Sequence, residues 1–134
     1  MGQQQLLLIV LGVIIVGIAV VVGINLFNAN AEESTKDTMV SEGTNLGAMA
    51  QQYFKKPIAL GGGGNDFTGF DEAGGYLLPL SLKDTPSADW VVSNQGPTTC
   101  TITGTPKLST EYTWTVVTTV TPTTITSAVV GATP

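Results

Sequence analysis

The sequence predicts an α+β fold: a long N-terminal α-helix, apolar in its first half and amphipathic in its second, packed on a small antiparallel β-sheet head. Three observations predict it. Residues 6–24 are apolar or glycine without exception, a helical stripe of buried-type residues continues from Met39 to Tyr53, and the rest of the chain breaks into short threonine-rich runs separated by turn residues.

The chain has 134 residues, room for one small domain, and part of that length is committed to the apolar run. Apolar residues make up 43% of the chain but are concentrated at its start, and only 11% of residues are charged. The remainder, rich in Thr, Gly, Ser and Pro, has the composition of a surface-exposed β domain. The net charge is −5, with five lysines and no arginine, so there is no basic patch for phosphates and no guanidinium fork for base edges. Nucleic acid is excluded as an expected partner. Histidine is absent and Cys100 is the single cysteine, which removes the commonest general base and metal ligand and any intrachain disulfide. In "TTCTIT" Cys100 shares a strand face with Ile102, and it reads as a small buried apolar residue.

The first element opens "MGQQQLLLIVLGVIIVGIAVVVGI". Its uninterrupted run approaches the roughly 20 residues that a membrane-spanning helix needs. No Lys or Arg precedes it, where a signal peptide or ordinary anchor carries positive charge. Gly12, Gly17 and Gly23 permit close approach of another helix as well as local weakening, and the three asparagines of residues 25–30 form a second candidate bend. No breaker follows. Met39, Gly43, Leu46, Ala50 and Tyr53 recur at spacings of four and three, the stripe of a helix packed along one side, while Glu32, Glu33, Lys36, Asp37, Glu42, Gln51 and Gln52 take the wetter faces. Lys55, Lys56 and Pro57 write the stop. A helix of this extent, on the order of 80 Å at 1.5 Å per residue, needs lipid or other copies of itself to cover its first half.

Residues 57–75, "PIALGGGGNDFTGFDEAGG", are expected to form a flexible glycine-rich connecting loop. No Lys-Ser or Lys-Thr follows Gly64, so a phosphate-binding loop is not expected, and the spacing of Asp66, Asp71 and Glu72 fits no calcium loop, leaving them as solvated acids. Residues 76–134 are expected to form the head, with strands in "YLLPLSL", "DWVVS", "TTCTITG", "EYTWTVVTTVT" and "TTITSAVV". Turns are expected at residues 83–86, 94–97 and 104–106, and Pro122 separates the last two strands. Tyr112, Trp114 and Val116 alternate with Thr113 and Thr115, so the aromatic face needs a cover, and the striped helix is the only amphipathic element to supply it. Met39, Leu46, Tyr53 and Trp114 are the expected head-to-helix contacts, and Trp90 is expected in the same core. Outward threonines near the C-terminus are candidate acceptors for O-linked sugars.

The segments "QLLLIVLGVIIVGIAVVVGI" and "STKDTMVSEGTNLGAMAQQYFKKP" together resemble the N-terminal helix of the type IV pilin family. The resemblance covers about the first sixty residues in detail and the head by architecture alone. It implies a structural subunit stored in the cytoplasmic membrane, moved by a pilus assembly machinery into an extracellular helical homopolymer at the cell surface, with no cofactor and no catalysis. The sequence departs from the family pattern in two places: family precursors carry a basic leader cut after a glycine, whereas here Met1-Gly2 precedes Gln3 and any leader is either removed or never present, and the family has a glutamate at the fifth mature position that neutralises a neighbour's terminal amine. Counting from Met1, taken as the filament-state N-terminus, that position is Gln5, whereas a cut after Gly2 would place Leu7 there. The resemblance therefore implies an assembly interface of Met1, Gln3, Gln4, Gln5, Leu6, Leu7, Ile9, Val10, Val13 and Ile14, with Gly12, Gly17 and Gly23 as points of helix flexibility. A membrane-anchored β domain that binds a ligand or envelope protein, and a minor pilin or secretion pseudopilin, are the alternatives. No convergent set of acids, bases and nucleophiles marks an enzyme.

Overall fold

The computed structural model describes residues 2–108, 110 and 112–131. Helix α1 runs unbroken over Gly2–Lys55, through both the glycines of the apolar run and the asparagines that follow it. The chain divides into two compact units, Met1–Ser34 and Thr35–Pro134, with the boundary inside α1.

The second unit is built on a four-stranded antiparallel meander, β1 (Ala88–Ser93), β2 (Cys100–Pro106), β3 (Thr115–Val120) and β4 (Ile125–Val130), each strand beside its sequence neighbour. Period-two alternation gives one face to the core: Ala88, Trp90, Cys100, Ile102, Val116, Thr118 and Val120 are buried. The same side of α1 contributes Thr35, Met39, Gly43, Leu46, Gly47, Ala50, Tyr53 and Phe54, every one buried. This is the expected architecture, a helix over an antiparallel sheet.

Four local expectations are corrected. First, "YLLPLSL" is not a strand. Tyr76 makes one isolated bridge to Phe70, and Pro79, unable to donate to a ladder, caps the short helix α2 (Leu80–Lys83). The Leu78 amide turns away to Asp71 Oδ1 at 3.1 Å. Second, residues 104–106 are no turn but the end of β2. The β2–β3 pairing stops at Gly104, so Pro106, opposite Ala88 of β1, leaves no β3 ladder bond unmade. Third, β3 begins at Thr115, although Trp114 just before it is buried.

Fourth, the glycine-rich segment is an ordered cap, not a flexible linker. Gly63 N–H donates to Tyr53 O at 2.8 Å, Asn65 N–H to Phe54 O at 2.6 Å and Gly64 N–H to Lys56 O at 2.9 Å, satisfying carbonyls at the end of α1. Sterics then dictate glycine. A Cβ on Gly63 would lie 1.9 Å from Asp66 O, and one on Gly62 2.3 Å from Lys56 O. The loop continues into Phe67 and Phe70, both wholly buried, with Phe67 against Phe54 at 4.7 Å between ring centroids. Asp71, expected among solvated acids, is likewise an anchor: its side chain is 4% exposed, and Oδ2 pairs with Lys83 Nζ at 2.8 Å.

Candidate functional site

The apolar segment presents its side chains outward on every side. Gln3, Gln4 and Gln5 are exposed in the first turns of α1, and after them Leu6, Leu7, Ile9, Val10, Val13 and Ile14 are all more than half exposed, from 52% to 67%. The same holds on to Phe27, at 74%. A Cβ built on Gly12, Gly17 or Gly23 meets nothing within 4 Å. Burying one such Leu, Ile or Val stabilises by about 1.5–3 kcal/mol, and a contiguous apolar surface of this extent marks a region covered by lipid or protein. α1 is long and apolar enough to cross a membrane, and none of its residues 2–31 is buried. Met1 lies outside the described residues.

The head-to-helix residues sit in a continuous core. Met39 is fully buried and Leu46 2% exposed. Tyr53 lies beside Phe70 at 5.5 Å and Tyr76 at 5.8 Å, and its hydroxyl donates to Thr68 O at 2.9 Å. Burial, reinforced by the negative charges of Asp66 and Glu72, raises the Tyr53 pKa. Trp114 stacks on Tyr112 at 5.4 Å and receives Lys36 Nζ 5.5 Å from its ring centroid.

Two features at this contact go beyond the hydrophobic stripe. Gly43 and Gly47, one turn apart, let α1 approach the sheet closely: a Cβ on Gly43 would stand 2.5 Å from Thr118 Oγ1 and 3.0 Å from the Trp90 ring, and one on Gly47 2.8 Å from the Ile125 side chain. Trp90 is held between two glycines, because its cross-strand partner Gly104 also lies under the ring, with a built Cβ only 2.6 Å away. Its indole N–H donates to Glu42 Oε2 at 3.1 Å, an oxygen that also accepts from Thr85 Oγ1 at 3.1 Å. The G-x-x-x-G of residues 43–47 was the available signal. The partners of Glu42 had none, since they lie over forty residues away in sequence.

Several other polar groups have partners close by in the head. Asp66 accepts the Thr68 N–H at 2.8 Å, and hydrogen bonding to Thr68 holds its carboxyl below the usual range. Lys107 bonds Asp84 and lies 3.4 Å from Asp89 Oδ1; the Asp84 pKa is lowered and the Lys107 pKa raised, chiefly by their mutual hydrogen bond. Cys100 is wholly buried, and desolvation, with a smaller contribution from the Asp71 charge, pushes its thiol up to about 12. Such a thiol is a poor nucleophile. Among the described residues no group of His, Cys, Asp and Glu is arranged to hold a metal ion. Comparison with protein-family models, with curated proteins and with solved structures finds no match.

Proposed function

We propose that this chain is the structural subunit of an extracellular filament of type IV pilus kind, polymerising through the apolar half of α1. The observation that carries the reading is the contrast within one helix: Thr35–Phe54 supplies the buried side of a folded head, while residues 6–27 offer apolar side chains to the surroundings on all faces. Stored subunits would bury that surface in the cytoplasmic membrane and exchange lipid for packing against copies of the same helix, driven by close van der Waals contact, with the assembly machinery supplying the work. In this scheme Gln3, Gln4 and Gln5 form an amide network with neighbouring copies, requiring only hydrogen bonds where a buried carboxylate would require a cation. Electron microscopy of sheared surface material tests the proposal: filaments containing this chain are expected, and their absence from cells that produce it would refute the reading. The Gln3→Leu, Gln4→Leu, Gln5→Leu triple variant is expected to assemble poorly, and normal filaments from it would remove the amide network from the scheme.

The length of the apolar run also fits a permanent anchor carrying an envelope β domain. That reading expects a monomer in detergent whose first half can be replaced by any unrelated transmembrane helix without loss of function. The filament reading expects the replacement to abolish assembly.

A further inference from the structure

The five lysines of the chain divide by what holds them. Lys83 pairs with Asp71, Lys107 with Asp84 and Asp89, and Lys36 stands over the Trp114 ring. Lys55 and Lys56, at the end of α1, are exposed and pair with no acid among the described residues. A helix C-terminus favours cations, yet the carbonyls there are already satisfied: those of Tyr53, Phe54 and Lys56 accept the amides of Gly63, Asn65 and Gly64. Asp37 is exposed on the same helix and is likewise unpaired among the described residues. Glu42 is the one charged residue between it and Lys55, and its carboxylate is turned to the Trp90 indole. Positions 37 and 55 are about five turns apart at 3.6 residues per turn, so both side chains leave α1 on one line, separated by about 27 Å at 1.5 Å per residue.

We propose that Lys55 pairs with Asp37 of a second copy of this chain, parallel to the first and staggered from it by about 27 Å along α1. The proposal rests on the filament reading, which sets copies of this helix side by side, and adds the register between them. Residues 6–27 do not define that register: Leu, Ile and Val side chains repeat along the run, and van der Waals contact between them changes little when one helix slides on another. Opposite charges do define it, because one stagger brings the unpaired cation to the unpaired acid and a slip of one turn parts them by about 5 Å. The contact is heterologous. It leaves Asp37 of the first copy and Lys55 of the second open to further copies, so it extends a filament rather than closing a dimer. One exposed pair contributes little by itself, but this one recurs at every subunit, and it uses the second unit alone.

The test treats sheared native filaments with a carbodiimide, which takes up the water released as a lysine amine and a carboxylate in contact condense to an amide, and which leaves no spacer between them. Within one chain Asp37 and Lys55 are too far apart to react, so a bond between them joins two copies. A ladder of covalent oligomers is expected, with Lys55 joined to Asp37 in tandem mass spectra, while Lys107 joined to Asp84 or Asp89 marks the reagent's action inside each chain. Lys55→Glu and Asp37→Lys, each alone, are expected to lower filament yield about fivefold, and the chain carrying both exchanges to regain it. Both positions are exposed, and near-ultraviolet circular dichroism of Trp90 and Trp114 verifies that each variant keeps the native head. Filaments without the ladder, a ladder in which Lys55 is joined only to other acids, or no recovery in the double exchange would each overturn this contact and leave the filament reading standing. Absence of filaments from the native chain would overturn both.

Discussion

Gly43 is the position at which the packing of the head makes its sharpest quantitative demand. Replacing Gly by Ala in a helix interior ordinarily stabilises by about 1 kcal/mol, because the unfolded backbone loses freedom and the helix gains a better former. At Gly43 the added Cβ would lie 2.5 Å from Thr118 Oγ1 and 3.0 and 3.2 Å from two atoms of the Trp90 ring. Neither neighbour can retreat. Thr118 is fully buried and its hydroxyl is bonded to Ser127 Oγ at 2.9 Å, while Trp90 is backed by Gly104. Overpacking of a tight core costs about 1–3 kcal/mol, and with both neighbours fixed the upper end applies. Against the propensity gain, Gly43→Ala is expected to destabilise the head by about 2 kcal/mol, which for a unit of this size lowers Tm by about 8–16 °C. Both tryptophans lie in the second unit, so thermal unfolding followed by near-ultraviolet circular dichroism reads the head alone. Gly12→Ala, where a Cβ meets nothing, serves as the comparison and leaves that transition unmoved. A Gly43→Ala head as stable as the parent would refute the close-approach argument.

Further expectations follow from the cap, the indole contact and the buried thiol. Gly63→Ala, whose Cβ would fall on Asp66 O, is expected to cost more than about 3 kcal/mol in chemical denaturation, since backbone rather than a side chain must move. Trp90→Phe removes the donor to Glu42 while keeping a ring between Gly43 and Gly104; a loss of about 1.5–3 kcal/mol is expected, and Glu42→Gln, retaining an acceptor, should lose less. Burial raises the Cys100 pKa from an ordinary value of 9.0 to about 12, so its contribution to stability is fully present below pH 9 and declines as pH rises toward 12, by up to about 1.4 kcal/mol per pH unit. Cys100→Ala is expected to flatten that slope in denaturation curves taken across the interval. The Asp84 and Lys107 pair is exposed, and its small contribution is expected to be lost on acidification through the lowered Asp84 pKa and again at high pH through the raised Lys107 pKa. Denaturation of Lys107→Ala in acid, neutral and alkaline buffer checks this, with the difference from the parent greatest near neutrality.

Periodicity made the main elements legible. The spacing of Met39, Gly43, Leu46, Ala50 and Tyr53 is a local property of a helix, and all five are buried; the alternation through Cys100 and Ile102 is a local property of a strand, and both are buried. What stayed hidden depends on partners distant in sequence. The run of glycines at 61–64 signals freedom when taken alone and becomes ordered only because the last carbonyls of α1 accept its amides. Leu77 and Leu78 have strand composition, but Pro79 and the Asp71 carboxylate redirect the segment into a turn and α2. Gly104 and Pro106 look like a turn until Trp90 is placed over Gly104. The strand order was equally beyond the sequence, because short threonine-rich runs offer nearly equivalent pairings.

The boundary between the two units falls after Ser34, near residue 30, where the sequence passes from the apolar half of the helix (1–30) to the amphipathic half (31–56), and well before the second change of composition at Pro57. A chimera joined at Pro57 would strip the recipient sheet of its own helix and offer it a foreign surface where Gly43 and Gly47 had been fitted to Thr118, Val120 and Ile125. Heads of this design are therefore interchangeable only together with the twenty or so helical residues they fold on, and a graft junction belongs within α1 rather than at its end.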